Sequence, residues 1–229
     1  MKSVLAAVAV ASALVLAACG PSSPDVDPQK YGTVVEEAPR KLLSEDQIEK
    51  ALLTVKDLPD GWSVSPAPDP AGGSEVRRDS AHPACKTLTQ TLDDDISASG
   101  TSDVYFSRSE NGPFLSQSVL SRPKREVLKE MKSLRKVLAD CPSYTETAQG
   151  MTITYQPSSM AFPQLGDDTV ALRLRSSSGG QVIDVPMVIV RVGRTLVMLA
   201  SYEVGGSMSP QDFEAVARTA VKKAKAAAK

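Results

Sequence analysis

The chain has 229 residues, 26 Lys plus Arg against 27 Asp plus Glu, and a formal net charge of −1 at neutral pH. So even a balance gives no global attraction to nucleic acid. Aromatics make up only 4% of the chain, and Trp62 is the sole tryptophan.

The N-terminus reads as a targeting segment. Met1 and Lys2 precede an apolar, small-residue run from Val4 to Ala18, the layout of a secretory signal. The run is short and Ala-rich for a membrane-spanning helix. Its end, Leu16-Ala17-Ala18-Cys19-Gly20, resembles the lipobox of bacterial lipoproteins. That resemblance implies diacylglycerol on the Cys19 sulfur, removal of residues 1–18, and a palmitate-class acyl group on the new N-terminus. The expected address is the cell membrane, lipid-anchored at the extracytoplasmic face. Two or more acyl chains, at ~0.8 kcal/mol per buried methylene, make such an anchor stable. Residues 19–40 carry Pro21, Pro24, Pro28 and Pro39 among scattered acids. They bury too little to offset ordering entropy and read as a disordered stalk. About twenty extended residues reach on the order of 65 Å.

Residues 41–229 suit one domain with a real core. With Cys19 assigned to lipid, Cys85 and Cys141 remain, an even pair that reads as a disulfide outside the cytoplasm. Ser44-Glu45-Asp46-Gln47 has the form of a capping box. It opens a helix ending near Val55, with Ile48, Ala51 and Leu52 on one face. Leu58-Pro59-Asp60-Gly61-Trp62 forms a turn that returns Trp62 to the body. Residues 65–81 are rich in Pro, Gly and charge and read as a mobile loop. A second short helix spans Cys85 to Leu92, with Leu88 and Leu92 at i and i+4.

Two strands follow, Val104–Ser107 and Phe114–Leu120, with Asn111-Gly112 as their hairpin turn. Pro123–Asp140 is the clearest helix: Val127, Met131, Leu134 and Leu138 form one apolar stripe, and Pro142 stops continuation. Then come strands at Met151–Tyr155, Thr169–Arg175, Val182–Val192 and Thr195–Val204, the last two joined through Gly193-Arg194. Val188-Ile189-Val190 and Leu196–Leu199 look buried on both faces. Ser209 and Pro210 open a final helix as N-cap and N1. Phe213, Val216, Ala217, Ala220 and Val221 make its apolar face. The order α, α, β, β, α, β, β, β, β, α implies an α+β fold, an antiparallel sheet flanked by helices.

That order resembles a known family. A Leu-Pro-Asp-Gly-Trp turn follows the first helix. One cysteine precedes the central helix and another ends it. A hairpin spans Val190-Arg191-Val192-Gly193-Arg194-Thr195-Leu196-Val197. Over residues 44–226 these resemble the extracellular sensor domain of actinobacterial PknH-type kinases and their free-standing lipoprotein relatives. The resemblance implies an antiparallel sheet flanked by helices, with a cleft for an unidentified ligand. The kinase domain uses two disulfides and this chain can form one, so the cleft is expected to differ in detail. The family offers no catalytic motif to transfer.

No chemical constellation stands out, so the chain reads as a non-enzyme without cofactor or metal. His82, the only histidine, sits in a His-Pro-Ala-Cys turn, and no Gly-x-Ser-x-Gly accompanies it. Asp93-Asp94-Asp95 lacks the spacing of a calcium loop and reads as a solvated helix end. Asp167-Asp168 reads as a turn. Arg122, Lys124, Arg125, Lys129, Lys132, Arg135 and Lys136 cluster on and before the central helix. They read first as a solvated face with i,i+4 support, and otherwise as a patch for an anionic polymer, headgroups or a partner.

The segment 156–168 holds Met160, Phe162 and Leu165 beside Pro157 and Pro163. Solvated linkers seldom need such residues. They cover the core, or with Trp62 they line a pocket for an amphipathic or lipid-like ligand. The leading functional expectation is a non-enzymatic ligand-binding or sensing module at the envelope. A scaffolding lipoprotein that docks an envelope protein, and an envelope hydrolase, are the alternatives.

Overall fold

The computed structural model describes residues 41–67, 77–86, 101–148, 150–202 and 208–229. The leader, Cys19, the stalk, Leu88, Leu92 and Asp93–Asp95 lie outside them. Helix α1, Glu45–Ala51, opens with the expected capping box: Ser44 Oγ accepts from Gln47 N, and Gln47 Oε1 from Ser44 N. It stops four residues short of Val55. A buried side chain from the sheet explains this, since Leu53 N donates to Gln117 Oε1 at 2.6 Å instead of continuing the helix. A 3-10 turn then covers Val55–Asp57.

Nine strands follow in one antiparallel sheet. They are β1 (Ser63–Ser65), β2 (Arg77–Asp79), β3 (Thr101–Ser107), β4 (Phe114–Ser121), β5 (Tyr144–Ala148), β6 (Met151–Ser159), β7 (Asp168–Ser178), β8 (Gln181–Val192) and β9 (Thr195–Tyr202). Between β4 and β5 runs helix α2, Lys124–Asp140, and after β9 comes α3, Pro210–Ala227. The spatial order is β1-β3-β4-β9-β8-β7-β6-β5-β2. Six strands are evident from the sequence. The other three are β5, with its polar Tyr-Thr-Glu-Thr start, and the two three-residue edges β1 and β2. Those edges fall partly in the segment expected to be a mobile loop. Short, polar or charged edge strands carry little apolar signal. Of the expected second helix, the first helical turn, 83–86, lies among the described residues and begins two residues before Cys85.

Two hairpin readings diverge. Gly193-Arg194 does form a two-residue loop, with Val192 opposite Thr195 and Gly193 at φ +63°. Asn111-Gly112 does not: the connection runs from Arg108 to Pro113, and Ser109 Oγ donates to the Gly112 carbonyl at 2.7 Å. Pro113 has no N–H to extend the ladder inward.

Alternation along the central strands assigns the faces. Val188, Val190, Val197 and Leu199 join a large core with Phe106, Leu115, Val119, α1 and α3. Ile189 and Leu196 point the other way, to a second core with Leu120, Val170, Leu172 and the α2 residues Val127 and Met131. Helices thus cover both faces, which accounts for the nearly unbroken apolar runs of β8 and β9. A third cluster surrounds the Cys85–Cys141 disulfide, with Ala84, Val137 and Tyr144. All three cores and the disulfide lie inside the compact unit Glu37–Lys229, so this unit carries its own folding determinants.

Candidate functional site

The α2 helix is anchored at both ends and lines a cavity between them. Near its start Val127 and Met131 are each 1% exposed against the sheet. At its end Cys141 is bonded to Cys85, with Cα atoms 4.9 Å apart, and Val137 turns into that cluster. Leu134 and Leu138 complete the packing stripe against the second core, while each stays half-buried. Beneath them is a cavity of about 360 Å³, within the ~300–1,000 Å³ range of small-molecule sites.

Its floor is Leu120, Leu172, Leu174, Met187, Ile189 and Met198, and its roof is Glu130, Leu134, Val137 and Leu138. Thr101, Asp103, Tyr105 and Ser118 close one side with Tyr202. Arg78, Tyr144 and Pro157 close the other. The sheet order makes the apolar floor central and the polar groups terminal. At the Arg78 end, Arg78 Nε pairs with Glu146 Oε1 at 2.5 Å. Tyr144 and Tyr155 stack with centroids 5.0 Å apart. Burial, reinforced by the Glu146 charge, pushes both phenols above the ordinary tyrosine range, so both stay neutral. At the opposite end burial raises the Tyr105 phenol, helped by the nearby Asp103 and Tyr202.

The four residues singled out from the sequence divide differently. Trp62 and Leu165 are 6% exposed and belong to the α1/α3 core. Met160 and Phe162 pack on that core from outside, Phe162 edge-to-face on Phe213 with centroids 5.9 Å apart. With Pro163, Met208 and Phe213 they line a depression of about 520 Å³ that also meets Arg173 and Asp184. The stretch 156–159 is the end of β6 rather than loop. The α2 cavity had only a partial sequence signal, Leu134 and Leu138, because its other walls come from strands far apart in the chain.

The remaining candidates have local roles. His82 Nδ1 accepts from Ala84 N at 3.3 Å within its turn. Asp167 accepts from Gly193 N at 2.6 Å and pairs with Arg191 at 3.1 Å, fastening the 160–167 loop to the β8–β9 hairpin. Asp168 pairs with Arg135. Lys124, Arg125, Lys129, Lys132 and Lys136 face solvent. Among the described residues no group of three or more His, Cys, Asp and Glu is placed to hold a metal, and no helix is long and apolar enough to cross a membrane.

These features define a class: a single-sheet α+β domain with helices on both faces and a helix-roofed cavity. The fold is that of the extracellular domain of PknH from Mycobacterium tuberculosis, with a TM-score of 0.56 and 14% identity over 80% of this chain and 97% of that one. An uncharacterised Mycobacterium smegmatis protein, an Rv0999 ortholog, aligns over 78% of this chain and 96% of its own, at 12% identity and a TM-score of 0.39. No family model and no curated protein matches the chain. The resemblance read from the motifs therefore holds at the level of fold.

Proposed function

We propose that the protein is a non-enzymatic, extracytoplasmic binding module, held to the membrane through lipid on Cys19, whose α2 cavity takes a small amphipathic ligand. The carrying observation is the cavity itself: an apolar floor and roof with polar groups gathered at its two ends, the usual composition of a small-molecule site. Its polar groups suit orientation rather than bond making. They include phenols held neutral and an arginine already ion-paired. The extracytoplasmic placing draws on the fold shared with an extracellular domain, on the disulfide and on the leader sequence. A second reading, a scaffold for an anionic envelope partner, draws on the solvent-facing cations of α2 around Leu128, which is 44% exposed.

The test is native mass spectrometry of protein recovered from its own host, with Leu138→Trp as the blocked form. Wild type is expected to carry an adduct that the variant lacks, at nearly equal melting temperature. An adduct of the same mass on the Trp form places the ligand elsewhere and removes this reading.

A further inference from the structure

We propose that the cavity selects a singly cationic amphiphile, its apolar body under α2 and its ammonium head between Asp103 and the rings of Tyr105 and Tyr202. This rests on the α2 cavity being the ligand site.

The seat for the head is built by strand register. Asp103 and Tyr105 are two apart on β3 and so share the cavity face. Across β4 they sit opposite Ser118 and Ser116, which in turn face Met198 and Ala200 of β9. Tyr202 is two residues beyond Ala200 on the same face. The small side chains Ser116, Ser118 and Ala200 therefore leave space beside Asp103 and Tyr105, and Tyr202 stands one pair further along, opposite Phe114 of β4. β3 and β9 are two strand spacings apart, about 10 Å between backbones, and Asp103, Tyr105 and Tyr202 line the same cavity. Tyrosine faces attract such cations, and the Asp103 carboxylate faces solvent at the mouth with no ion pair to a described residue.

The lining charges comprise two acids and one base. The charged residues lining the cavity are Arg78, Asp103 and Glu130. The one cation among them is paired to a further carboxylate, Glu146. None of the lysines or arginines of α2 lines the cavity. An anionic head would meet the Asp103 carboxylate at one end and an arginine already engaged at the other.

The experiment is calorimetric titration of the unit 37–229 with three probes sharing one tail, each below its micellar concentration: dodecyltrimethylammonium, dodecyl maltoside and laurate. The ammonium probe is expected to bind roughly tenfold tighter than the maltoside, from one exposed carboxylate and two rings, and laurate weakest. Asp103→Asn should weaken the ammonium probe and narrow its lead over the maltoside, leaving the smaller part due to the rings. Raising salt should narrow the gap in wild type. Leu138→Trp should abolish binding of all three. Equal affinity for ammonium and maltoside, tighter laurate, or a preference undiminished by Asp103→Asn overturns the head-group assignment and leaves the cavity reading standing. Failure of all three probes to bind overturns both.

Discussion

Gln117 is the side chain on which the α1 end of the sheet depends, and Gln117→Leu measures that dependence. The residue is 0% exposed. Its Oε1 accepts from Leu53 N at 2.6 Å, and its Nε2 donates to the Ala51 carbonyl at 3.2 Å. Both partners are backbone groups at the C-terminus of α1, where a helix leaves carbonyls and the following N–H without intrahelical partners. Leucine matches the volume and gives neither group a partner. Stranding a buried donor or acceptor costs about 1–3 kcal/mol. Two such groups, less the gain from an apolar side chain in an apolar core, give a loss of about 2–4 kcal/mol. For a unit of this size each kcal/mol lowers the melting temperature by ~2–4 °C. A fall of roughly 5–15 °C is therefore expected by circular dichroism under oxidising conditions. Gln117 points to the α1/α3 face, away from the cavity, so probe binding at 25 °C should be unaltered. A melting temperature within a degree of wild type refutes the accounting of these two hydrogen bonds.

Four further outcomes follow from particular contacts. Burial works to raise the Asp57 carboxyl, but hydrogen bonds from Lys223 and from the backbone and hydroxyl of Thr54 outweigh it, so its pKa lies below 3.8. The stability it contributes is present above the ordinary carboxylate value and lost as pH falls through the lower folded-state value; Asp57→Asn should shrink that acid-side loss in pH-dependent urea unfolding, and an identical acid limb refutes it. Reducing the Cys85–Cys141 bond, which closes a separation of 56 residues, should cost about 4 kcal/mol on the chain-entropy model, read as a lowered urea midpoint; an unchanged midpoint argues against the bond's structural role. Gly166 sits at φ +59°, where an added Cβ would lie 2.5 Å from the Arg191 carbonyl and 2.7 Å from Val190 Cγ1, so Gly166→Ala should destabilise by about 2–4 kcal/mol, and a neutral result shows that the loop can shift freely. Cys19→Ser should leave an uncleaved precursor or release protein to the medium on cell fractionation, whereas mature-sized protein retained in the membrane contradicts the lipid anchor.

Local signals in the chain were sufficient for much of the fold. Ser44 and Gln47 define a helix start by reciprocal hydrogen bonds across three residues, and Ser209-Pro210 does the same for α3 through the Ser209 cap on Asp212 N. Gly193-Arg194 fixes its hairpin because a glycine supplies the positive φ such a loop needs. Val188-Ile189-Val190 is apolar at every position, and a strand of that kind must be covered on both faces. The pairing of Cys85 with Cys141 needed only the count of cysteines and the compartment implied by the leader.

What only the tertiary structure decided are features whose partners come from distant segments. The end of α1 at Ala51 is set by Gln117, which no pattern near residue 51 reveals. Strands β1, β2 and β5 carry too few apolar side chains to announce themselves and exist because a neighbouring edge offers hydrogen bonds. Phe162 and Leu165 look alike in sequence, yet one lies on the surface of a core and the other within it. The cavity shows the distinction most directly. Its α2 stripe is legible as Val127, Met131, Leu134 and Leu138, but helical periodicity gives direction and not depth. Val127 and Met131 are fully buried on the sheet, whereas Leu134 and Leu138 pack on the same core only in part and also line the cavity.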